Sequence, residues 1–265
     1  LSLITVWLRF YVRSVMLGIT GSDDFVMIFA MVCTTATFVC FVIETQHGLG
    51  KHLLAMLASP TDYTEFLKIN YAHAIIVMIG VSAVKVSIAL SLIRLSPQRK
   101  YSQFLWGIII FVVAMTLACA LTLIFQCIPV RAAWDFSLRP PPTGTGTARC
   151  YPIYTFRNIG LMNSSFNIIT DVLFATLPIP LIWKLQLNMR TKISLIGILS
   201  LGWFACAAAI IKAIRQWHVF DEPDWTVYNS FNVWNFIELT IGIIAASLPS
   251  LKPLFNWFLK TARGI

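Results

Sequence analysis

The chain has 265 residues, 58% of them hydrophobic and only 12% charged, with a mean hydropathy of +0.77. A water-soluble domain of this size needs a more charged surface, and apolar runs of about 20 residues or more match a hydrocarbon layer roughly 30 Å thick. The net charge of +9 excludes little by itself: the bases sit in short connections between apolar runs, where they set orientation, and no nucleic-acid partner is expected.

Seven spans follow in chain order, at about 1–17, 24–45, 68–95, 104–127, 157–182, 192–216 and 229–251. The alternating ten-residue strands of a membrane barrel are not seen. The expectation is an all-α polytopic membrane protein, one seven-transmembrane-helix bundle over 1–265. Only Leu1–Leu8 of the first span is free of charge, so helix 1 is expected to be truncated at its start. Arg9 and Arg13 follow the first apolar residues rather than precede them, so no cleavable signal peptide is read.

The positive residues give an orientation. One set of connections holds Arg9, Arg13, Arg94, Arg99, Lys100, Lys184, Arg190, Lys192, Lys252, Lys260 and Arg263, eleven bases against two acids, Asp23 and Asp24. The opposite set holds eight bases, Lys212 and Arg215 among them, against seven acids. The base-rich side is assigned to the cytoplasm. The N-terminus is then extracytoplasmic and the C-terminus cytoplasmic, in a plasma membrane or an endomembrane, with lipid as the surrounding partner.

The longest connection, 128–156, lies outside in this orientation. Its run from Arg139 to Thr147 is rich in Pro, Gly and Thr and is read as a flexible tip. Cys127 and Cys150 flank that run in a compartment that permits oxidation, so a disulfide is expected. Cys33, Cys40, Cys119 and Cys206 fall inside spans as small apolar residues. No His/Cys cluster has ligand spacing, so no metal is expected, and no cofactor either. Pro178, Pro180, Pro249 and Pro253 are read as kinks or terminators. Trp106, Trp134, Trp183, Trp225 and Trp257 lie near span ends, as an interfacial belt would.

Three charges sit mid-span: Lys85, Asp171 and Glu238. A charge in hydrocarbon is costly and is normally turned to the bundle interior and paired. In the fifth span Asn163, Asn167 and Asp171 follow at i, i+4 and i+8, one helical face. Lys85 lies 17 residues down the third span and Asp171 about 14 down the fifth, a depth difference of some 4–5 Å at about 1.5 Å per residue. A Lys85–Asp171 bridge is therefore feasible, and Asp171 is expected to be ionised, paired and structural. Glu238 has no base at its own depth on this count. Its nearest candidates are Lys212, Arg215 and His73, with Trp234 a turn above it and Asn235 on its face. The candidate ligand-binding set is Lys85, Asn163, Asn167, Asp171, Trp234, Asn235, Glu238 and His73, bordering a polar cavity open to the outer side or outer leaflet. Glu238 and Asp171 are the candidate catalytic acids if the protein is an enzyme. The plain alternative is polar glue between helices.

Several stretches together resemble one family. Asp23-Asp24 opens the second span, and His47-Gly-Leu-Gly-Lys-His52 follows it. Phe125-Gln-Cys-Ile-Pro-Val130 with Ala133-Trp-Asp135 closes the fourth, Asn167-Ile-Ile-Thr-Asp171 leads to Leu177-Pro-Ile-Pro, and Glu238–Phe255 reads ELTIGIIAASLPSLKPLF. Across almost the whole chain this is similar to the fungal rhodopsin-domain integral membrane proteins. That family includes receptor-like proteins and members encoded in secondary-metabolite clusters. Where relatives often have an aromatic residue shortly after the Lys85 motif, this chain has Ala89-Leu-Ser-Leu-Ile93.

The resemblance implies a receptor-like seven-helix protein binding a small hydrophobic ligand in a polar intramembrane cavity, with any G-protein partner left open. A cofactor-independent enzyme is the alternative, a cyclase or isomerase using Asp171 or Glu238 as general acid or base on a hydrophobic metabolite. A transporter would show a two-half repeat, which is not visible. Covalent retinal is not expected, because the seventh span has no Lys before Lys252.

Overall fold

The computed structural model describes residues 1–95, 98–141, 144–177, 189–218, 225–228 and 231–263. In chain order the helices are α1 (Ser2–Tyr11), continued by one π-helical turn at Val12–Met16, α2 (Ser22–Gln46), the short α3 (Leu53–Leu57), α4 (Pro60–Leu95), α5 (Arg99–Ile124), α6 (Ile153–Thr176), α7 (Met189–His218), the one-turn α8 (Trp225–Tyr228) and α9 (Phe231–Arg263). Among the described residues, α2, α5 and the stretches Pro60–Arg94 and Phe231–Leu251 are long and apolar enough to cross a membrane. α6 has the length, but Asn163, Ser164, Ser165, Asn167 and Asp171 occupy its middle.

Local chemistry sets the ends. The backbone N–H of Gly21, the residue before α2, donates to Asp24 Oδ2 at 3.2 Å, and Asp23 and Asp24 place two negative charges against the positive end of the helix dipole. After α2 the chain turns through Gly48 and Gly50 at φ of +123° and +93°, a region open to glycine at no steric cost. α9 passes through Pro249 and Pro253 without ending, so these two do not terminate it. Pro178, Pro180 and Trp183 lie outside the described residues.

α4 is the central mast. One of its flanks packs Val77, Val81, Ala83 and Val84 against Val6 of α1, Met27 and Ala30 of α2, and Leu239 and Ile243 of α9. Its lower part packs Ala89 and Leu92 against Leu105, Ile108, Ile109 and Val112 of α5 and Phe174 of α6. α2, α4 and α9 meet at Gly80, where an added Cβ would stand 3.2 Å from Cys33 Cβ and 3.3 Å from Leu239. Lipid tails are as apolar as leucine, so close backbone approach and polar contacts hold such helices together. α5 and α6 both touch α4, and among the described residues they share few contacts with each other.

At one end of the bundle, β1 (Cys127–Ile128) pairs antiparallel with β2 (Arg149–Cys150), and the opposed Cys127 and Cys150 form a disulfide. The Arg139–Thr147 run is not the flexible tip its composition suggests, so far as it is described. Arg139 donates from Nε to Ala132 O at 2.9 Å and from Nη2 to Ala133 O at 3.0 Å, and its guanidinium stacks on Phe136. The amides of Thr145, Gly146 and Ala148 donate back to Ser137, Arg139 and Leu138. Leu138, Ala132 and Ala148 gather with the disulfide as a small core. Tyr63 and Tyr71 of α4 pack on Phe136 and Trp134, docking the loop over the mast. Trp134 is thus packed against the protein, whereas Trp106 is exposed as a belt residue would be.

Candidate functional site

The interior holds three polar clusters at three depths. Farthest from the disulfide, Arg9 of α1 donates to Asp23 Oδ2 at 2.8 Å, to Asp24 Oδ1 at 3.0 Å and to the backbone oxygen of Ala246 in α9 at 2.6 Å. Arg13 also pairs with both aspartates. Ser87 of α4 donates to Asp23 O, and Ser91 to Asp23 Oδ2. Arg9 is 1% exposed, so these charges, read from sequence as loop charges, are a clamp on α1, α2, α4 and α9.

Nearer the disulfide end, His73 Nδ1 of α4 lies 2.7 Å from Glu44 Oε1 of α2. Asn232 of α9 donates to Glu44 Oε2 at 3.2 Å and to Asn70 Oδ1 at 3.1 Å. His73 is therefore Glu44's neighbour and not a partner of Glu238. Glu44, Asn70 and Asn232 were not singled out from sequence. The signal was there: Glu44 lies within the predicted second span, with Asn70 and His73 one turn apart on the facing helix.

The middle cluster contains most of the candidates. Lys85 Nζ is 2.8 Å from Asp171 Oδ1, the pairing that equal depth made feasible. It also donates to Asn167 O at 3.1 Å, Asn167 Oδ1 at 2.9 Å and Thr170 Oγ1 at 2.7 Å. Asn167 donates in turn to Asn163 O and Oδ1, so the polar face of α6 acts as one ladder. Glu238 does have a base at its level: Lys212 Nζ of α7 lies 2.6 Å from Glu238 Oε2. This pair is close enough to interact electrostatically with Asp171. Asp171 Oδ2, Glu238 Oε1 and His73 Nε2 have no hydrogen-bond partner among the described residues.

Beside Lys85 a narrow, half-open cleft of about 30 Å³ runs between α4, α5 and α6. Met78, Phe111, Val112, Met115 and Phe166 form its apolar walls, and Ser82, Lys85, Thr116, Asn163, Asn167 and Thr170 its polar floor. Ser82 Oγ and Thr116 Oγ1 lie 2.5 Å apart, and Thr116 also donates to Val112 O at 2.7 Å. Phe111 meets Phe166 edge-on at 6.1 Å across the gap between α5 and α6, and Phe111 is 45% exposed. Of the candidate set, Lys85, Asn163 and Asn167 line this cleft. Asp171, His73, Trp234, Asn235 and Glu238 do not. Among the described residues no three His, Cys, Asp or Glu side chains gather as a metal site would require.

Residues 8–257 match the fungal rhodopsin domain. A SAT4 family membrane protein of Emericella nidulans is 30% identical over 226 residues, covering 82% of this chain and 53% of that protein. The polyenoic acids biosynthesis gene cluster protein Ba17b of Metarhizium anisopliae is 25% identical, covering 97% of this chain and 71% of its own length. Receptor GIN3 of Arthrobotrys oligospora is 32% identical over 91 residues, 33% of this chain and 21% of the receptor. The chain spans about half the length of the first of these relatives, 53%. No solved structure matches it.

Proposed function

Because the chain belongs to the fungal rhodopsin domain family and is an integral membrane protein with several apolar helices, we propose that it is a receptor-like protein. In this reading α1, α2, α4, α5, α6, α7 and α9 all cross the membrane, and a small hydrophobic ligand sits in the cleft between α4, α5 and α6. The disulfide end faces outward and the Asp23 end faces the cytoplasm.

One observation carries the choice of binding over acid–base chemistry. A general acid or base must come within about 3 Å of the atom it serves, directly or through one water. Neither carboxyl lines the cleft, and each has a lysine nitrogen within 3 Å, Asp171 at 2.8 Å and Glu238 at 2.6 Å. An apolar wall with a few convergent polar groups is the usual make-up of a small-molecule site. A relative named a receptor supports the receptor reading, and one named for a polyenoic acids biosynthesis cluster supports a lipophilic metabolite as ligand.

The test is native mass spectrometry of the full chain purified from its own membranes, beside Met115→Trp, which fills the cleft. A small lipophile should co-purify with the native chain and be lost from the variant. Equal retention by both would overturn the cleft assignment. Chemical conversion of the bound compound on incubation would favour the enzyme.

A further inference from the structure

The polar floor of the cleft is nearly spent, and what remains unspent defines its ligand. An ammonium has three protons. Lys85 has four oxygens of α6 between 2.7 and 3.1 Å, one of them the Asp171 carboxylate. It therefore has no proton to offer a ligand anion, and its charge is already neutralised. Asn167 and Thr170 are likewise engaged, Thr170 donating to Phe166 O and Asn167 O at 2.9 Å each. Thr116 gives its proton to Val112 O, so the proton between the two hydroxyls belongs to Ser82. Among the described residues of the floor one side-chain donor group is left, with several acceptor lone pairs. The Asn163 amide nitrogen is a donor without a partner, because only its oxygens are engaged. Ser82 Oγ donates once and retains acceptor lone pairs.

No carboxylate lines the cleft. A cationic ligand would be buried without a counter-ion, and an anionic one would have to break the Lys85–Asp171 pair, so either charge would forfeit several kcal/mol of solvation. An uncharged oxygen needs one donor or one acceptor, and the floor offers the Asn163 amide as donor and lone pairs on Ser82 and its neighbours as acceptors. The route of access is also built. Among the described residues α5 and α6 share few contacts; the edge contact of Phe111 with Phe166 spans the gap between them, and Phe111 is 45% exposed.

We propose that the cleft takes an uncharged lipophile bearing a hydroxyl or carbonyl. It slips in sideways from the bilayer between Phe111 and Phe166 and places its oxygen between Asn163 Nδ2 and Ser82 Oγ. This rests on the cleft being a ligand site at all, and the experiment separates the two.

The full chain in nanodiscs is photolabelled with four diazirine probes of one chain length: an alcohol, a methyl ketone, a carboxylic acid and an amine. Labelled residues are mapped by peptide sequencing. Saturable labelling of the 111–116 and 163–170 segments by the alcohol or the ketone is expected, at least tenfold above the acid and the amine. Asn163→Ala and Ser82→Ala should each cut it about tenfold with unchanged thermal stability. Phe111→Ala should speed the onset of labelling without changing its plateau. Acid or amine labelling equal to the alcohol, or labelling indifferent to Asn163→Ala and Ser82→Ala, overturns the neutral-ligand assignment while leaving the cleft a site. Absence of saturable labelling by every probe overturns the cleft itself.

Discussion

Lys212 and Glu238 form a closed pair between α7 and α9, with Nζ 2.6 Å from Oε2 and side chains 7% and 4% exposed. Lys212 has no other partner among the described residues, whereas Lys85 keeps Thr170 and both Asn167 oxygens if Asp171 is neutralised. Breaking a buried pair from one side costs about 3–5 kcal/mol, while a single interhelical hydrogen bond in a membrane averages about 0.6 kcal/mol. Glu238→Gln is therefore expected to destabilise the fold more than Asp171→Asn, the reverse of the order that the sequence suggests. Replacing both partners, Lys212→Met with Glu238→Leu, should recover most of the loss. Thermal unfolding in detergent measures this, and a Glu238→Gln protein as stable as the parent would refute it.

The Cys127–Cys150 bridge joins residues 23 apart. Cross-linking a loop of that length is worth roughly 3 kcal/mol through lost freedom of the unfolded chain. Cys127→Ser should lower stability by about that amount and loosen the loop over α4. Non-reducing peptide mapping should recover the linked pair from the native protein, and two freely alkylated thiols would contradict it.

Asp135 gives the loop between α5 and α6 a pH dependence. The Ser137 hydroxyl donates to its Oδ1 at 2.5 Å, the Ser137 amide at 3.2 Å, and Arg131 stands nearby; together they hold this carboxyl below the usual range, the hydroxyl bond first. A depressed value means that the ionised form is the one the fold favours. The contribution is present above the unfolded value, about pH 3.9, and is lost as pH falls through the lowered one. Exchange of the Ser137 amide should accelerate on acidification below about pH 4, and Asp135→Asn should remove that dependence. An identical pH profile in the variant would count against it.

The proposed orientation rests on the excess of Arg and Lys at the Asp23 end. An epitope inserted beside Gly144 should be reachable in intact cells, and a reporter fused after Ile265 should be cytoplasmic. Protection of the epitope would invert the assignment.

The parts of the fold legible in the sequence were those that cost most to leave unmade. Lys85 and Asp171 could be paired from depth because each is a lone charge deep in an apolar run. Cys127 and Cys150 could be paired because no other cysteine flanks the long loop. The Lys212–Glu238 pair was hidden by span ends placed too loosely: Lys212 lies six residues before the end of α7 and Glu238 seven after the start of α9, which is nearly one level at about 1.5 Å per residue. Arg9, Asp23 and Asp24 were hidden by their position. Charges near a span end are usually solvated, and it is the packing of α1, α4 and α9 around them that buries these. Of the cleft, the polar floor at Lys85, Asn163 and Asn167 was legible, but its apolar wall of Met78, Phe111, Met115 and Phe166 was not, since apolar residues in a span carry no mark of what they face.

The proposed entry between α5 and α6 would change what concentration means for this protein. A compound that arrives through it comes out of hydrocarbon, where burial of apolar surface favours it by about 0.8 kcal/mol, or about fourfold, for each methylene. Occupancy then tracks the mole ratio of compound to lipid, not the amount dissolved in water. Two preparations that differ only in their quantity of bilayer would give different apparent affinities for one intrinsic constant. Empty vesicles added to a loaded sample would act as a sink and strip the cleft by dilution alone.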